Sequence, residues 1–317
     1  MQPLYQATFD RLDLADRFPA RFTNPNKRAF LDQVEGSPIP GSIDVARWAA
    51  VPLPEARSGW RPELVTKVGY FTYDSDTESA MHWHLNFANF DLFSAYAGSL
   101  LAQDEMQVLE HPDLARVRHA LQAGGLSTLV TDRAGPTPFT LTAVPRRGAI
   151  ETAPGPGRPG GLYGNQFAAA SVDQVLAAAT VIEPPTLSNI VAMEAPAYGR
   201  GEYRTEEINP ILTTAVTGFG AAVVETKRLS PGLRTVIHTG WWGCGAYGGN
   251  QELMALLQLV AAEWAEVDEV VFHLGSADSE AILRRAKELQ ETLPDTAAEL
   301  IVAIADLRYL WGVSDGN

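Results

Sequence analysis

The sequence predicts an α/β fold, because strands and helices alternate through its C-terminal half. Apolar runs typical of buried strands lie at residues 188–194, 234–238 and 268–274. Helical spacing of apolar residues follows each run, at residues 205–223, 250–265 and 278–292. A last helix is predicted over residues 296–311. Strand–helix alternation of this kind is typical of a sheet covered by helices.

The N-terminal half is less regular. Residues 1–62 are rich in proline and charge, and we expect an accessory segment wrapped on a main domain of residues 63–317. Runs rich in strand formers at 66–73 and 81–88 flank a polar turn, which predicts a hairpin. Further on, helices at 99–110 and 113–122, strands at 127–132 and 138–144, and a Gly/Pro-rich loop at 146–164 are predicted.

The composition argues against several classes of function. The chain has 317 residues and a formal net charge of −14, so broad binding to nucleic acid is not expected. It contains no run of eighteen apolar residues, and we expect no membrane partner. Its single cysteine suits a reducing compartment, which predicts a cytoplasmic protein. His82 and His84 alternate on one strand without a third ligand at metal spacing, so neither a metal nor another cofactor is expected.

The most informative segment is a glycine-rich loop at residues 239–250, Thr-Gly-Trp-Trp-Gly-Cys-Gly-Ala-Tyr-Gly-Gly-Asn. It lies between a predicted strand and a predicted helix. Glycines let the backbone approach a ligand closely, and a helix N-terminus favours anions. The spacing matches neither standard nucleotide-binding loop. The alternative is a turn that merely packs tightly, but its two tryptophans and tyrosine argue against that alternative.

This loop resembles the signature T-G-x-W-G-C-G-A-F-G-G-D of the poly(ADP-ribose) glycohydrolase family. Other segments agree in order: Phe87-Ala88-Asn89, then Gln103-Asp104-Glu105 in place of Q-E-E, and Glu207-Ile208-Asn209. The resemblance covers roughly residues 65 to 290. It implies a macrodomain-like three-layer α/β/α sandwich with a mixed sheet, and a glycoside hydrolase that acts on ADP-ribosylated substrates.

The resemblance also assigns roles to residues. Glu105 would be the general acid, and Asp104 a catalytic neighbour that accepts hydrogen bonds from ribose. On the residues alone, this acidic pair fits a solvated helix N-terminus at least as well. ADP-ribose, or the substrate that carries it, is the expected partner. The remaining candidate ligand contacts are Asn89, Gln103, Gly243, Gly245, Ala246, Tyr247, Gly248, Gly249, Phe272 and Asp76.

Two departures bear on the substrate. Phe93-Ser94-Ala95 stands where the family has three glycines beside the distal ribose, and residues 131–147 lack the family's tyrosines. We therefore expect side chains to fill space at residues 93–95, and poor activity on long polymer. Two alternatives stay open: an ADP-ribose-binding module without turnover, or an enzyme that acts on another NAD-derived metabolite or adduct.

Overall fold

The computed structural model describes residues 1–73 and 78–315. Within them the strands are β1 (Pro3–Asp10), β2 (Ser42–Trp48), β3 (Glu63–Lys67), β4 (Ala80–Ala88), β5 (Thr131–Asp132), β6 (Gly135–Pro136), β7 (Phe139–Ile150), β8 (Ala179–Glu194), β9 (Arg234–Thr239) and β10 (Glu269–His273). The helices are α1 (Arg11–Arg17), α2 (Pro25–Val34), α3 (Gln103–Glu110), α4 (Asp113–Ala123), α5 (Asn165–Ala169), α6 (Val172–Ala178), α7 (Thr205–Leu229), α8 (Gln251–Trp264), α9 (Glu280–Thr292) and α10 (Ala297–Asp306), with a 3₁₀ turn at Ala277–Ser279.

Eight strands form one mixed sheet in the order β1-β2-β7-β8-β4-β9-β10-β3. Strands β8, β4, β9, β10 and β3 pair in parallel, whereas β1, β2, β7 and β8 pair antiparallel. Strands β5 and β6 form a separate small ribbon. The parallel strands end at one edge, so the loops that follow them converge there.

Hydrophobic residues cover both faces of the sheet. On β8, Val191 and Met193 belong to a core formed with helices α7, α8, α9 and α10. The neighbouring Ile190 and Ala192 belong to a second core formed with α1, α2, α3, α4 and α6. Because side chains alternate along a strand, the two cores lie on opposite faces. The predicted three-layer α/β/α sandwich with a mixed sheet is therefore confirmed.

The N-terminal segment does more than wrap around this sandwich. Strands β1 and β2 extend the main sheet through β7, and Leu14, Phe30 and Ile43 are buried in the second core. Residues 1–62 thus complete one edge and one face of the sheet. The division of the chain at residues 62 and 63 stays a prediction.

The predicted hairpin is wrong. Strand β3 pairs in parallel with β10 at the sheet edge, and β9 and β10 lie between β3 and β4. Both strands have strand-forming sequences, but local pattern does not encode which neighbour a strand selects. The polar turn predicted at residues 74–77 lies outside the described residues.

Helix α7 is the one described helix long and apolar enough to cross a membrane by length and composition. Its apolar window is 67% buried inside the protein. Phe219 and Ala222, for example, are fully buried in the first core. Packing of this kind is what a core helix of a layered domain requires, so the apolar composition is explained without a membrane.

Candidate functional site

A cavity of about 530 Å³ opens at the edge where the parallel strands end. It is bordered by residues that follow five different strands: Tyr70 after β3, Asn89 after β4, Ala195 after β8, Gly240 after β9 and Gly275 after β10. Cavities of this size accommodate small-molecule ligands, and the carboxyl edge of parallel strands is their usual place in α/β proteins.

The first turn of helix α3 forms one wall of this cavity. Gln103 fastens that turn to β4, since its Oε1 accepts from the Phe87 N–H at 2.8 Å and its Nε2 donates to the Leu85 carbonyl at 2.9 Å. Gln103 borders the cavity, but both ends of its amide are occupied by the strand, and its contact with a ligand stays a prediction. It positions the two acids that follow it in the sequence.

Asp104 and Glu105 both border the cavity and are only 6% and 4% exposed. The Asn86 side chain donates to Asp104 Oδ1 at 3.0 Å. The Ala102 N–H donates to Glu105 Oε2 at 3.1 Å, so Glu105 caps its own helix. A solvated helix terminus is therefore excluded. The adjacent acids, which a helix turns about 100° apart, still reach the same cavity.

Burial raises the pKa values of both acids. Burial and then repulsion from Glu105 raise the pKa of Asp104 to about 7, against the hydrogen bond from Asn86 and the charge of Lys27. Burial likewise raises the pKa of Glu105, while Lys27 and the backbone N–H groups at the helix start oppose the rise. Two coupled acids in one enclosure retain a proton near neutral pH, as a general acid requires.

Asn89 borders the same cavity as the acids. Its Nδ2 donates to the Tyr247 hydroxyl at 3.3 Å, and its Oδ1 accepts from the Phe90 N–H at 2.7 Å. The Tyr247 ring contacts Tyr198 edge-on at 5.3 Å between centroids. Asn89 and Tyr247 both border the cavity, so the structure brings these two predicted contacts together.

The glycine loop supplies the facing wall, through Gly243, Gly245, Ala246 and Tyr247. Gly243 needs its glycine, because its φ is +75° and an added Cβ would lie 3.0 Å from the Pro196 carbonyl oxygen. At the end of the loop, the Asn250 side chain accepts from the Leu253 N–H at 3.1 Å and so caps helix α8.

Gly248 and Gly249 do not line the cavity, contrary to prediction. Their N–H groups donate to Gly245 and Gly243 carbonyls at 3.1 and 2.8 Å, so both are used within the loop. An added Cβ at Gly248 would meet Gly312, and one at Gly249 would meet the Gly243 carbonyl at 2.6 Å. These two glycines allow the loop to close on itself and on the C-terminal segment.

The prediction for Phe272 is also wrong. It is fully buried in the first core and packs edge-on against Trp241, at 4.8 Å between centroids. Trp241 borders the cavity and donates through Nε1 to the Leu274 carbonyl at 2.8 Å. Phe272 therefore supports a cavity residue without reaching the cavity. The prediction for Asp76 lies outside the described residues.

The altered loop at residues 93–95 differs from expectation as well. Phe93 is fully buried in the second core, with a left-handed φ of +54°, so its ring faces away from the cavity. Of the three substituted positions, Ala95 alone borders the cavity. Replacement of the family's glycines therefore places a methyl group, and not a phenyl ring, at the cavity wall.

Sequence reasoning missed two stacked tyrosines. Tyr70 and Tyr163 border the cavity and lie parallel, with 5.5 Å between centroids and 6° between planes. Tyr163 lies in the Gly/Pro-rich loop, outside the tyrosine-free segment at residues 131–147. Its place beside Tyr70 depends on how that loop folds, which no local sequence pattern predicts.

The C-terminal segment was also missed. The Trp311 ring stacks on Tyr203 at 4.2 Å, and its Nε1 donates to Glu207 Oε1 at 2.9 Å. The Gly312 N–H donates to the Gly248 carbonyl at 2.8 Å. Asp315 then borders the cavity beside Gly245. This segment holds the outer side of the glycine loop.

Three histidines contact one another in a row that ends at the cavity. His82 Nδ1 lies 2.9 Å from His238 Nε2, and His238 Nδ1 lies 3.2 Å from His273 Nε2. His273 borders the cavity, and its Nδ1 donates to the Tyr70 carbonyl at 3.1 Å. Burial lowers the pKa of His273 to about 4, so its ring is neutral at pH 7. Among the described residues no group of His, Cys, Asp and Glu has the arrangement of a metal site.

Part of the chain matches a known family. Residues 163–281 match the family model described as "Poly (ADP-ribose) glycohydrolase (PARG), Macro domain fold". The matched segment contains Tyr163 and the whole glycine loop.

Solved structures with similar folds include three bacterial proteins. A poly(ADP-ribose) glycohydrolase from Thermomonospora curvata, bound to the inhibitor ADP-HPD, is 15% identical with a TM-score of 0.44, over 87% of this chain and 96% of that one. The enzyme from Deinococcus radiodurans in complex with ADP-ribose is 14% identical with a TM-score of 0.40, over 90% and 95%. An Oceanobacillus iheyensis macrodomain with MES bound is 14% identical with a TM-score of 0.40, over 75% and 97%.

These structural similarities are remote, and the family assignment depends on the matched segment together with the motifs. Residues 163–281, well under half of the 317 residues, match that family model, in agreement over this segment with the resemblance predicted from the sequence.

Proposed function

We propose that this protein hydrolyses a ribosyl glycosidic bond in an ADP-ribosylated substrate. The observation that carries the proposal is the buried acidic pair, Asp104 and Glu105, which borders the same cavity as a glycine loop. Glycosidic cleavage needs a protonated acid for the leaving group and a negative charge for the cationic sugar. The loop offers backbone groups for a phosphate.

In this mechanism the proton that the acidic pair retains passes from the Glu105 carboxyl to the leaving oxygen as the bond to the ribose anomeric carbon breaks. The pair's remaining negative charge stabilises the oxocarbenium-like transition state. Water then adds to the anomeric carbon and returns a proton to Glu105, so the acid is restored. Asp104, oriented by Asn86, and Asn89 would hold the ribose hydroxyls.

The diphosphate would lie against Gly243, Gly245, Ala246 and Tyr247. Among the described residues, the charged side chains of the cavity wall are Asp104, Glu105 and Asp315, with no lysine or arginine, so the wall offers a diphosphate no cationic side chain. An anion there must therefore be bound by uncharged donors. Backbone N–H groups and a helix N-terminus are such donors, and they act over short distances.

A compact ADP-ribosyl group is the preferred substrate in this proposal. The net charge of −14 opposes capture of a long polyanion, whereas a single diphosphate seated in the loop feels mainly local dipoles. We expect faster release from mono-ADP-ribosylated substrate than from polymer in a side-by-side assay. Faster degradation of polymer would contradict this part of the proposal.

The test of the reaction is Glu105→Gln. The amide keeps the shape and loses the transferable proton, so hydrolysis should fall by roughly a hundredfold or more. Calorimetry with ADP-ribose is the control, because binding should persist in the variant. Unchanged hydrolysis would remove Glu105 from the mechanism. Binding by the unmodified protein without turnover on any ADP-ribosylated substrate would identify it as a binding module instead.

A further inference from the structure

The N-terminal segment forms hydrogen bonds and an aromatic contact with the loop that precedes the acidic pair. Thr23 and Asn24 donate their backbone N–H groups to the Ala97 carbonyl, at 3.0 and 3.2 Å, and the Thr23 hydroxyl donates to the same oxygen at 2.7 Å. The Phe22 ring packs edge-on against Tyr96, with 5.2 Å between centroids. Residues 22–24 therefore fix residues 96 and 97, a few positions before helix α3.

Helix α2 places a buried cation, Lys27, next to the same loop. Lys27 is 0% exposed, and its Nζ donates to the Tyr96 carbonyl at 2.8 Å. Asn24 caps this helix through the Lys27 N–H, at 3.1 Å, and so sets where the lysine emerges. An ammonium group out of water is costly unless opposite charge compensates it.

The compensating charge is the acidic pair. Burial lowers the pKa of Lys27 to about 8, and Glu105 and then Asp104 are the charges that oppose this fall. In return, Lys27 opposes the rise in pKa of both acids. Helix α2 contacts helix α3, the helix that carries both acids. Other groups acting on the pair are Arg118 on Asp104, and the Tyr163 and Tyr247 hydroxyls.

We propose that Lys27 is a positioning residue of the active site, which holds the loop at 93–98 and sets the charge balance of Asp104 and Glu105. The inference rests on the proposed function and extends it to a segment outside the matched family domain. With one ammonium present, the enclosure tolerates one carboxylate while the second acid keeps its proton. That distribution is what acid-assisted glycosidic cleavage needs.

The test compares Lys27→Met with Asn26→Leu. Methionine keeps an unbranched chain and removes the charge. Asn26 is 4% exposed on the same helix and donates to the Phe167 and Ala170 carbonyls at 2.8 and 2.9 Å, so its loss also removes buried hydrogen bonds. The carboxyl groups of the pair are titrated by ¹³C NMR in each variant, and the pH dependence of hydrolysis is measured alongside.

Loss of a nearby opposite charge should raise the apparent pKa values of the pair by about one to three units. We therefore expect both limbs of the pH–rate profile to move to higher pH in Lys27→Met and to stay in place in Asn26→Leu. An unmoved carboxyl titration in Lys27→Met, or an equal shift in Asn26→Leu, would overturn the inference.

The titration needs no turnover, so it also separates the two proposals. Absence of hydrolysis in the unmodified protein refutes the proposed reaction, while the carboxyl titration still decides the role of Lys27. Should Lys27→Met not fold, the reciprocal effect is measured in Glu105→Gln. Loss of the carboxylate there should lower the pKa of Lys27 further, as followed at its ¹³Cε signal, and an unchanged value would equally refute the coupling.

Discussion

Asp104→Asn should stabilise the protein above neutral pH, although it alters the active site. The asparagine Oδ1 can still accept from Asn86 Nδ2, which lies 3.0 Å from the present oxygen. What changes is the cost of ionising a carboxyl group that is 6% exposed beside a second acid. Active sites are commonly held in such unfavourable states because function requires them.

The magnitude follows from the shift in pKa. Burial and repulsion from Glu105 raise the pKa of Asp104 from 3.8 to about 7. The native state then binds this proton more tightly than the unfolded chain, so stability falls as the pH rises through that window. Three units correspond to about 4 kcal/mol as an upper limit, of which about 2 kcal/mol falls between pH 5 and pH 7. Asp104→Asn has no carboxyl group to titrate at this position, so it does not show this fall in stability.

Urea denaturation at pH 5 and pH 8 measures the effect. The free energy of unfolding of the variant, relative to the unmodified protein, should rise by about 2–3 kcal/mol between these two pH values. Hydrolysis should fall in the same variant. A difference in unfolding free energy that is independent of pH would refute the reasoning, because it would mean that Asp104 titrates alike in the native and unfolded states.

Three further predictions concern the glycine loop and its ligand. Trp311→Ala removes the stack on Tyr203 and should cost about 2 kcal/mol of stability, seen as a lower melting temperature, with weaker ADP-ribose binding. Gly248→Val combines a φ of +71° with tight contacts, 3.1 Å to the Ser314 nitrogen and 3.2 Å to the Gly312 carbonyl oxygen, and should destabilise the protein more than Gly232→Val, where φ is +94° and the space is open; equal losses in urea denaturation would show that strain alone matters. ADP-ribose affinity should change less than about threefold between 50 and 200 mM salt, and a steep decline in calorimetry would indicate binding by cationic side chains.

The sequence predicted best where a pattern is local. Apolar periodicity identified the strands and helices of the C-terminal half, and α8 begins at its cap, Asn250, within one residue of prediction. Asp104, Glu105 and Asn89 meet in one cavity because each follows or faces the end of a parallel strand. The spacing of the motifs indicated this arrangement, because it fixes how many residues separate each side chain from the end of its strand.

What the sequence could not supply is whatever depends on contacts between distant segments. Gly248 and Gly249 look the same in sequence as Gly243 and Gly245, yet their N–H groups are used inside the loop. Lys27 reads as an ordinary surface lysine near the start of a helix. Its role emerges only because α2 packs on α3 and excludes water from its ammonium group.

The charges around the cavity bear on the proposed preference for a small anion over a large one. Asp104, Glu105 and Asp315 border the cavity, whereas Lys27 is fully buried and does not border it. Lys27 can therefore balance the acids without attracting polyanions from solution. Because dipoles of backbone N–H groups fade within a short distance, the glycine loop as proposed would bind a diphosphate only after it has entered the cavity. Attraction at long range would need exposed cations, and the described part of the cavity wall contains no lysine or arginine.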